Sequence, residues 1–159
     1  MNDELNNQIT EELKSAYIYL AMSAYFEDQD LPGFAQWMKV QSGEELEHAM
    51  KFFDFINERE GRVELQNIDK PEGSWSSPKA AFEAAYEHEK YISACIDGLV
   101  KTAREEEDNA TANFLQWYVS EQVEEEANAI AIVKNLELIG DAKHGLFMLN
   151  RELGERKGD

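Results

Sequence analysis

Apolar residues recur at helical spacing along four long segments of the chain, and polar breaks separate these segments. The breaks lie at "DLPG" (30–33), at a Gly- and Pro-containing stretch (61–78) and at "EEEDNA" (105–110). Gly140 makes a further break before a short amphipathic segment with Leu146, Phe147, Leu149 and Leu153 as its apolar residues. The pattern predicts helices over about 3–29, 33–60, 78–106, 109–138 and 142–155.

The lengths of the breaks predict how the helices pack. Short breaks join helices one and two into one antiparallel hairpin and helices three and four into another. The stretch 61–78 is long enough to run the length of the bundle, although its "VEL" (63–65) could instead form a short strand. We expect this stretch to be a crossover between the two hairpins rather than a strand. The prediction is an all-α fold, one domain over 1–159 built as a four-helix bundle with a long crossover between helices two and three and a short fifth C-terminal helix.

The amino-acid composition limits which binding partners and which cellular compartment are expected. The 33 acidic residues against 15 basic ones give a net charge of −18, which would repel nucleic acid and anionic lipid and attract cations. The single cysteine, Cys95, excludes an intrachain disulfide and fits a reducing compartment. The polar start of the chain and the lack of an apolar run near ~18 residues argue against a signal peptide or a membrane span. We expect a cytoplasmic protein with no nucleic acid or membrane partner.

Charged residues fall on the apolar faces that these helices should bury. On a wheel of ~100° per residue, Glu45 and His48 lie within the stripe of helix two that contains Phe34, Met38 and Phe52. The other three long helices repeat this pattern. In helix one, Glu12 and Tyr19 lie at the edge of a face defined by Leu5, Ile9, Ala16, Leu20 and Ser23. In helix three, Glu89 shares a face with Phe82 and Ile96. In helix four, Glu121 and Glu125 share a face with Trp117 and Tyr118, and Gln122 lies at the border of that face.

Five glutamates and one histidine turned towards one core would repel each other unless cations lay among them. Carboxylates with one imidazole and no thiolate suit iron, manganese or a similar ion, and two metals bridged by a carboxylate are a usual arrangement in a bundle. Helix two supplies Glu45-x-x-His48, whereas helix four supplies Gln122-x-x-Glu125. The sequence therefore predicts two metal positions that differ from each other.

Four stretches carry a likeness to a known family: "ITEELKSAYIYLAMSAYF", "GFAQWMKVQSGEELEHAMKFFDFI", "AYEHEKYI" and "NFLQWYVSEQVEEEA". Through them the whole chain resembles the ferritins, specifically the non-haem ferritins of bacteria and archaea. The resemblance implies a first iron site at Glu12, Glu45 and His48, with Glu45 bridging to a second site completed by Glu89 and Glu125. It also implies that Gln122 contacts bound oxygen or the second iron and that Tyr19 lies beside the centre, with a third iron site at Glu44, Glu121 and Glu124.

The resemblance further implies a function. Members of the family store and detoxify iron: a di-iron ferroxidase centre oxidises Fe(II) with O2 or H2O2, and ferric mineral forms inside a hollow homo-oligomeric shell, usually of 24 subunits. Haem is not expected, because Leu46 and Gln122-x-x-Glu125 stand where bacterioferritin has a haem-binding Met and a second Glu-x-x-His. The C-terminal segment resembles the helix that lines shell channels, and its apolar side would need a neighbouring subunit to cover it.

Two other functions are compatible with a carboxylate-lined bundle. A di-iron oxygenase would act on an organic substrate, but such enzymes usually have longer chains and an apolar substrate channel. A purely structural subunit of a mixed shell would not need the set Glu12, Glu45, His48 and Glu89. A rubrerythrin-like peroxidase would need two CxxC motifs, and one cysteine cannot supply them.

Overall fold

A computed structural model describes residues 1–158, and all of its regular structure is helical over that range. This confirms the predicted all-α fold. The predicted helix bounds differ from the observed ones by at most two residues. The helices are α1 (Asn2–Asp28), α2 (Pro32–Glu58), α3 (Pro78–Glu105), α4 (Asn109–Ile139) and α5 (Lys143–Leu153).

The four long helices form two hairpins, because α1 packs along α2 and α3 packs along α4. Local sequence fixes where the helices of the second hairpin begin. The Ser77 side chain accepts a hydrogen bond of 3.0 Å from the Ala80 backbone N–H, and the Asp108 side chain accepts one of 3.1 Å from the Thr111 N–H. Both are N-caps, which satisfy backbone donors that the first helical turn leaves unpaired.

Residues 61–77 cross from the first hairpin to the second without a strand, so the alternative of a strand at 63–65 was wrong. The Asn6 side chain on α1 fixes the start of this crossover. Its Nδ2 donates to the Arg62 carbonyl at 2.9 Å, and its Oδ1 accepts from the Glu64 N–H at 2.7 Å. A backbone that is paired in this way with a helix side chain has no need of a partner strand.

The buried apolar side chains form two clusters, one towards each end of the bundle. The first contains Phe26, Phe34 and Phe82, and the second contains Phe52 and Tyr118. On every long helix at least one buried polar residue lies between the two clusters. The fold therefore positions a polar layer across the middle of an otherwise apolar core.

The structure corrects the predicted faces of α1 and α4. Leu20 is 49% exposed whereas Tyr19 is 1% exposed, and Trp117 is 40% exposed whereas Gln122 is 5% exposed. The core-facing sides of both helices therefore lie about one residue away from the apolar stripe. The reason is that the core side carries polar residues, so apolarity alone gives the wrong rotation of the helix about its axis.

Helix α5 packs on the first turn of α2. The Asn150 Oδ1 accepts hydrogen bonds from the backbone N–H groups of Gly33 (2.8 Å) and Phe34 (3.3 Å). Leu149 and Leu153 are buried within the chain itself, so the expectation that a neighbouring subunit must cover the apolar side was wrong for these residues. In the described part of the chain, no helix has an apolar stretch that would let it span a bilayer.

Candidate metal centre

The polar layer brings together side chains from all four long helices. Each of them exposes 5% or less of its surface: Glu12 from α1, Glu45 and His48 from α2, Glu89 from α3, and Gln122 and Glu125 from α4. Carboxylates are almost never this deeply buried unless they are paired or bind a cation. The layer is therefore the candidate site of the molecule.

Three overlapping groups of side chains have the spacing of metal ligands. Within each group, one possible ligand atom per residue lies within 4.8 Å of the others. The groups are Glu12, Glu45 and His48; Glu45, Glu89 and Glu125; and His48, Glu121 and Glu125. Glu45 belongs to the first two groups, so its carboxylate lies between two adjacent positions that could each hold a cation.

His48 lies at the junction of these groups. Its Nδ1 is 3.3 Å from Glu45 Oε2, and its Nε2 is 3.7 Å from Glu121 Oε1. Burial lowers the pKa of His48, but the hydrogen bond and the negative charge of Glu45, followed by the charge of Glu121, raise it by more, so that the net pKa lies above its ordinary value. A neutral imidazole has one nitrogen free to bind a cation, so His48 can bind an ion either on the Glu45 side or on the Glu121 side.

The buried glutamates hold protons more strongly than usual when no cation is bound. Burial and then the charge of Glu45 raise the pKa of Glu12 well above its ordinary value. The same two causes raise the pKa of Glu89 to about 7 and that of Glu125 to about 9. A cation in this layer would replace those protons and remove the repulsion. The oxygen-rich donor set, with one imidazole, suits iron or manganese.

Two glutamines that the sequence analysis did not identify hold the candidate ligands in place. Gln8 Nε2 donates to Glu12 Oε1 at 2.8 Å, and Gln41 Nε2 donates to Glu45 Oε1 at 3.0 Å. Each glutamine precedes its glutamate by four residues, which places both on one side of the helix. The four-residue spacing is visible in the sequence, but by itself it does not distinguish these amides from other polar helix residues.

Buried oxygens without a hydrogen bond occur in the same layer. They are Glu12 Oε2 and Gln41 Oε1. A buried acceptor without a donor costs free energy, and a cation beside it would remove that cost. The donor set and its orphaned oxygens therefore fit bound metal ions.

Tyr19 and Gln122 both donate to Glu89. The Tyr19 hydroxyl donates a short hydrogen bond to Glu89 Oε1, and Gln122 Nε2 donates to Glu89 Oε2 at 3.1 Å. Burial, followed by the charge of Glu89, raises the pKa of Tyr19 well above its ordinary value, so the phenol keeps its proton. Gln122 is therefore in the core of the site rather than at the border of the helix-four face.

The residues of the implied third iron site are only partly together. Glu121 lies in the ligand-spaced group with His48, whereas Glu44 and Glu124 are outside that group. All three glutamates line a cavity of about 150 Å³ next to His48. Glu44 instead forms an ion pair with Arg156, at 2.5 Å between Oε2 and Nη2.

Comparisons with known proteins agree with this geometry. Residues 2–139 match the family of the ferritin-like domain. The chain is 43% identical over 156 residues to a bacterial non-haem ferritin of Bacteroides fragilis, covering 98% of this chain and 97% of that protein. It is 40% identical to the Campylobacter jejuni non-haem ferritin, covering 92% and 88% of the two proteins.

Solved structures give the same result. The open-pore ferritin of the archaeon Archaeoglobus fulgidus superimposes with a TM-score of 0.97 at 54% identity, covering 98% of this chain and 94% of that one. A closed form engineered from the same protein gives a TM-score of 0.99 at 52% identity, covering 100% and 97%. The resemblance inferred from the sequence is thus confirmed, and this chain belongs to the ferritin family, among its prokaryotic non-haem members.

Proposed function

We propose that this chain stores and detoxifies iron: it oxidises Fe(II) to Fe(III) at a di-iron ferroxidase centre and deposits ferric mineral inside a shell of its own copies. The single observation that carries this proposal is the position of Glu45. Its carboxylate is shared by the two ligand groups that meet in the core, and one such residue can bridge two ions.

We assign the two proposed iron positions to the first two of these groups. Glu12, Glu45 and His48 hold the first Fe(II), and Glu45, Glu89 and Glu125 hold the second. Only the first position has a nitrogen ligand, so the two irons differ in ligation. Iron is the substrate here, and ligation by few and mostly oxygen donors suits a centre that must release its product.

The residues around the pair have supporting roles. Gln122 orients Glu89 through its 3.1 Å hydrogen bond, and it is proposed also to contact the oxidant or the second iron. Two Fe(II) give up two electrons, which reduce O2 to H2O2, or H2O2 to water, with protons taken from the surroundings. Tyr19, whose hydroxyl donates to Glu89, is proposed to give one further electron to the oxidant, losing its phenolic proton and becoming a tyrosyl radical.

A third iron position beside the pair would use Glu44, Glu121 and Glu124. Support comes from the cavity that these residues line and from the 3.7 Å between Glu121 and His48 Nε2. Because Glu121 and Glu124 are less buried than the paired ligands, an ion there would exchange more readily. Such a position serves for transit between the pair and the mineral.

The shell is proposed to contain 24 copies of this chain, which acts as one domain in the cytoplasm. Exposed apolar side chains support contacts between copies: Tyr17 and Leu20 on α1 are 46% and 49% exposed, and Phe147 on α5 is 60% exposed. A charge of −18 per chain would draw Fe(II) to the shell and its pores.

The test is to mix metal-free protein with Fe(II) in air while following particle mass and ferric absorbance. The proposal expects a large assembly that turns over many Fe(II) per chain and gains mass as mineral forms. A monomer or dimer without mineral would contradict storage. An assembly that kept two irons per chain without turnover would favour the oxygenase instead.

A further inference from the structure

The segment that follows α5 brings a positive charge to the acidic cavity beside His48. Arg156 lines this cavity together with Glu44, Glu121 and Glu124. Its Nη2 lies 2.5 Å from Glu44 Oε2, and the two side chains are only 19% and 25% exposed. A guanidinium therefore already neutralises one of the three carboxylates of the implied third iron position.

Further contacts anchor Arg156 in this position. The guanidinium carbon lies 4.4 Å from the centre of the Trp37 ring, and Nη1 donates to the Trp37 carbonyl at 3.4 Å. The backbone carbonyl of Arg156 accepts from Gln36 Nε2 at 3.3 Å. Stacking on an aromatic face and a charge-assisted hydrogen bond fix the orientation of the guanidinium towards Glu44.

We propose that Arg156 is a built-in competitor for the third iron position: its guanidinium pairs with Glu44 in the metal-free chain, and a divalent cation must displace it to gain Glu44 as a ligand. This rests on the third iron position proposed above. Arg156 lowers the affinity of the third position for a cation in two ways: the cation must compete for the Glu44 carboxylate, and the adjacent positive charge repels it. Arg156 is thus a positioning residue that keeps the third site weak enough to pass iron on.

Lys51 adds to the same effect. It lines the cavity, and its Nζ lies 4.3 Å from the centre of the Trp117 ring. The acids of this cavity are therefore opposed by two basic side chains, each held over a tryptophan.

The experiment uses the assembled protein and the luminescent ion Tb(III), a hard cation that prefers oxygen ligands. Trp117 lines the cavity and can sensitise its emission. Arg156→Gln is expected to lower the concentration of Tb(III) needed for half-maximal emission by about fivefold, the size of effect expected for one partly exposed ion pair. Arg156→Lys should stay close to the parent. Arg151→Gln removes the same charge from α5, away from the cavity, and should also match the parent.

Glu121→Gln distinguishes a failure of the third iron position from a failure of the competitor role of Arg156. Emission that this variant abolishes comes from an ion in the cavity. If that emission has the same half-point in the parent and in Arg156→Gln, the role of Arg156 is wrong although the third site exists. If no Glu121-dependent emission occurs in either protein, the third site is wrong and the competitor role with it.

Discussion

The side-chain amide of Gln41 donates a 2.8 Å hydrogen bond to the carboxylate of Glu125, a residue 84 positions away on the other hairpin. The same Nε2 lies 3.0 Å from Glu45 Oε1. One neutral donor therefore links two proposed iron ligands from different hairpins. Its Oε1, by contrast, has no hydrogen-bond partner. Gln41 is buried and orients the ligands without carrying a charge of its own.

Gln41→Leu should weaken iron binding without unfolding the chain. Leu fills a similar volume but leaves Glu45 and Glu125 without their shared donor, and loss of such an orienting partner costs roughly 10- to 100-fold in metal affinity. Anaerobic Fe(II) titration against a chelator measures this change. Gln116→Leu, at an exposed position on α4, is the control. Unchanged affinity in Gln41→Leu would show that the amide does not position the ligands.

Glu45→Ala should abolish rapid oxidation and keep the fold. The substitution removes the carboxylate shared by the two ligand groups proposed to hold the iron pair, so the initial rate of ferric absorbance should fall by roughly 100-fold or more. The metal-free variant should melt at or above the parent temperature, because one repulsive buried charge is gone. Asp54→Ala, on the exposed side of the same helix, should behave as the parent. A parent-like rate in Glu45→Ala would contradict the bridging role.

The stability of the metal-free protein should fall as the pH rises from 7 to 9. The folded chain keeps a proton on Glu125, whose pKa is about 9, whereas the unfolded chain loses that proton near the ordinary value of 4.5. The folded state therefore binds more protons over this interval, and the free energy of unfolding should decline by about 2 kcal/mol from this group alone. Denaturant unfolding at the two pH values measures the decline.

A matched pair of variants assigns that pH dependence. Glu125→Gln cannot titrate, so its unfolding free energy should vary less between pH 7 and 9 than that of the parent. Asp54→Asn removes an exposed carboxylate and should keep the parent slope. Saturation with Zn(II), which holds the carboxylates deprotonated in the folded state, should also flatten the slope. An unaltered slope in Glu125→Gln would assign the effect to other groups.

Tyr19→Phe tests whether the buried phenol takes part in oxidation. The variant removes the hydrogen bond to Glu89 Oε1 and no other interaction of similar strength. Loss of one buried hydrogen bond should slow oxidation by roughly two- to tenfold while two Fe(II) still bind per chain. Tyr25→Phe, at another buried tyrosine outside the ligand layer, is the control. If Tyr19 supplies an electron, a tyrosyl radical signal should appear in the freeze-quenched parent and be absent from Tyr19→Phe.

Gly33→Ala should loosen α5. A Cβ at Gly33 would overlap the backbone carbonyl of Asn150, so one helix must shift from the other. The expected cost is about 1–3 kcal/mol in unfolding free energy, with faster hydrogen exchange over Lys143–Leu153. Gly98→Ala is the matched control, because a Cβ there meets nothing within 4 Å. This substitution should raise the free energy of unfolding by about 0.5–1 kcal/mol. Equal effects of the two substitutions would contradict the close approach of α5 to α2.

Much of the site was predictable because its residues break a local rule. Glu45 and His48 stood out as charges within an apolar stripe, and burial of both in the structure agrees with that pattern. Gln8 and Gln41 did not stand out, since a buried amide four residues before a glutamate resembles any polar helix position. Tyr19 was placed at an edge, and Gln122 at a border, because a hydropathy wheel centres a helix on its apolar residues. Where the core itself contains polar residues, the buried face of the helix is not centred on its apolar residues.

The sequence by itself determined the five helices, the two hairpins and the crossover, because helical periodicity, capping residues and break lengths are local properties. It also indicated that Glu12, Glu45, Glu89 and Glu125 face the core, whereas Glu121, which was placed on the same face, is 27% exposed in the structure. Only the tertiary structure decided the rotation of α1 and α4, the bond from Gln41 to Glu125 and the pairing of Arg156 with Glu44. Those relationships join residues 84 and 112 positions apart, and they depend on how four helices pack, which no local pattern encodes.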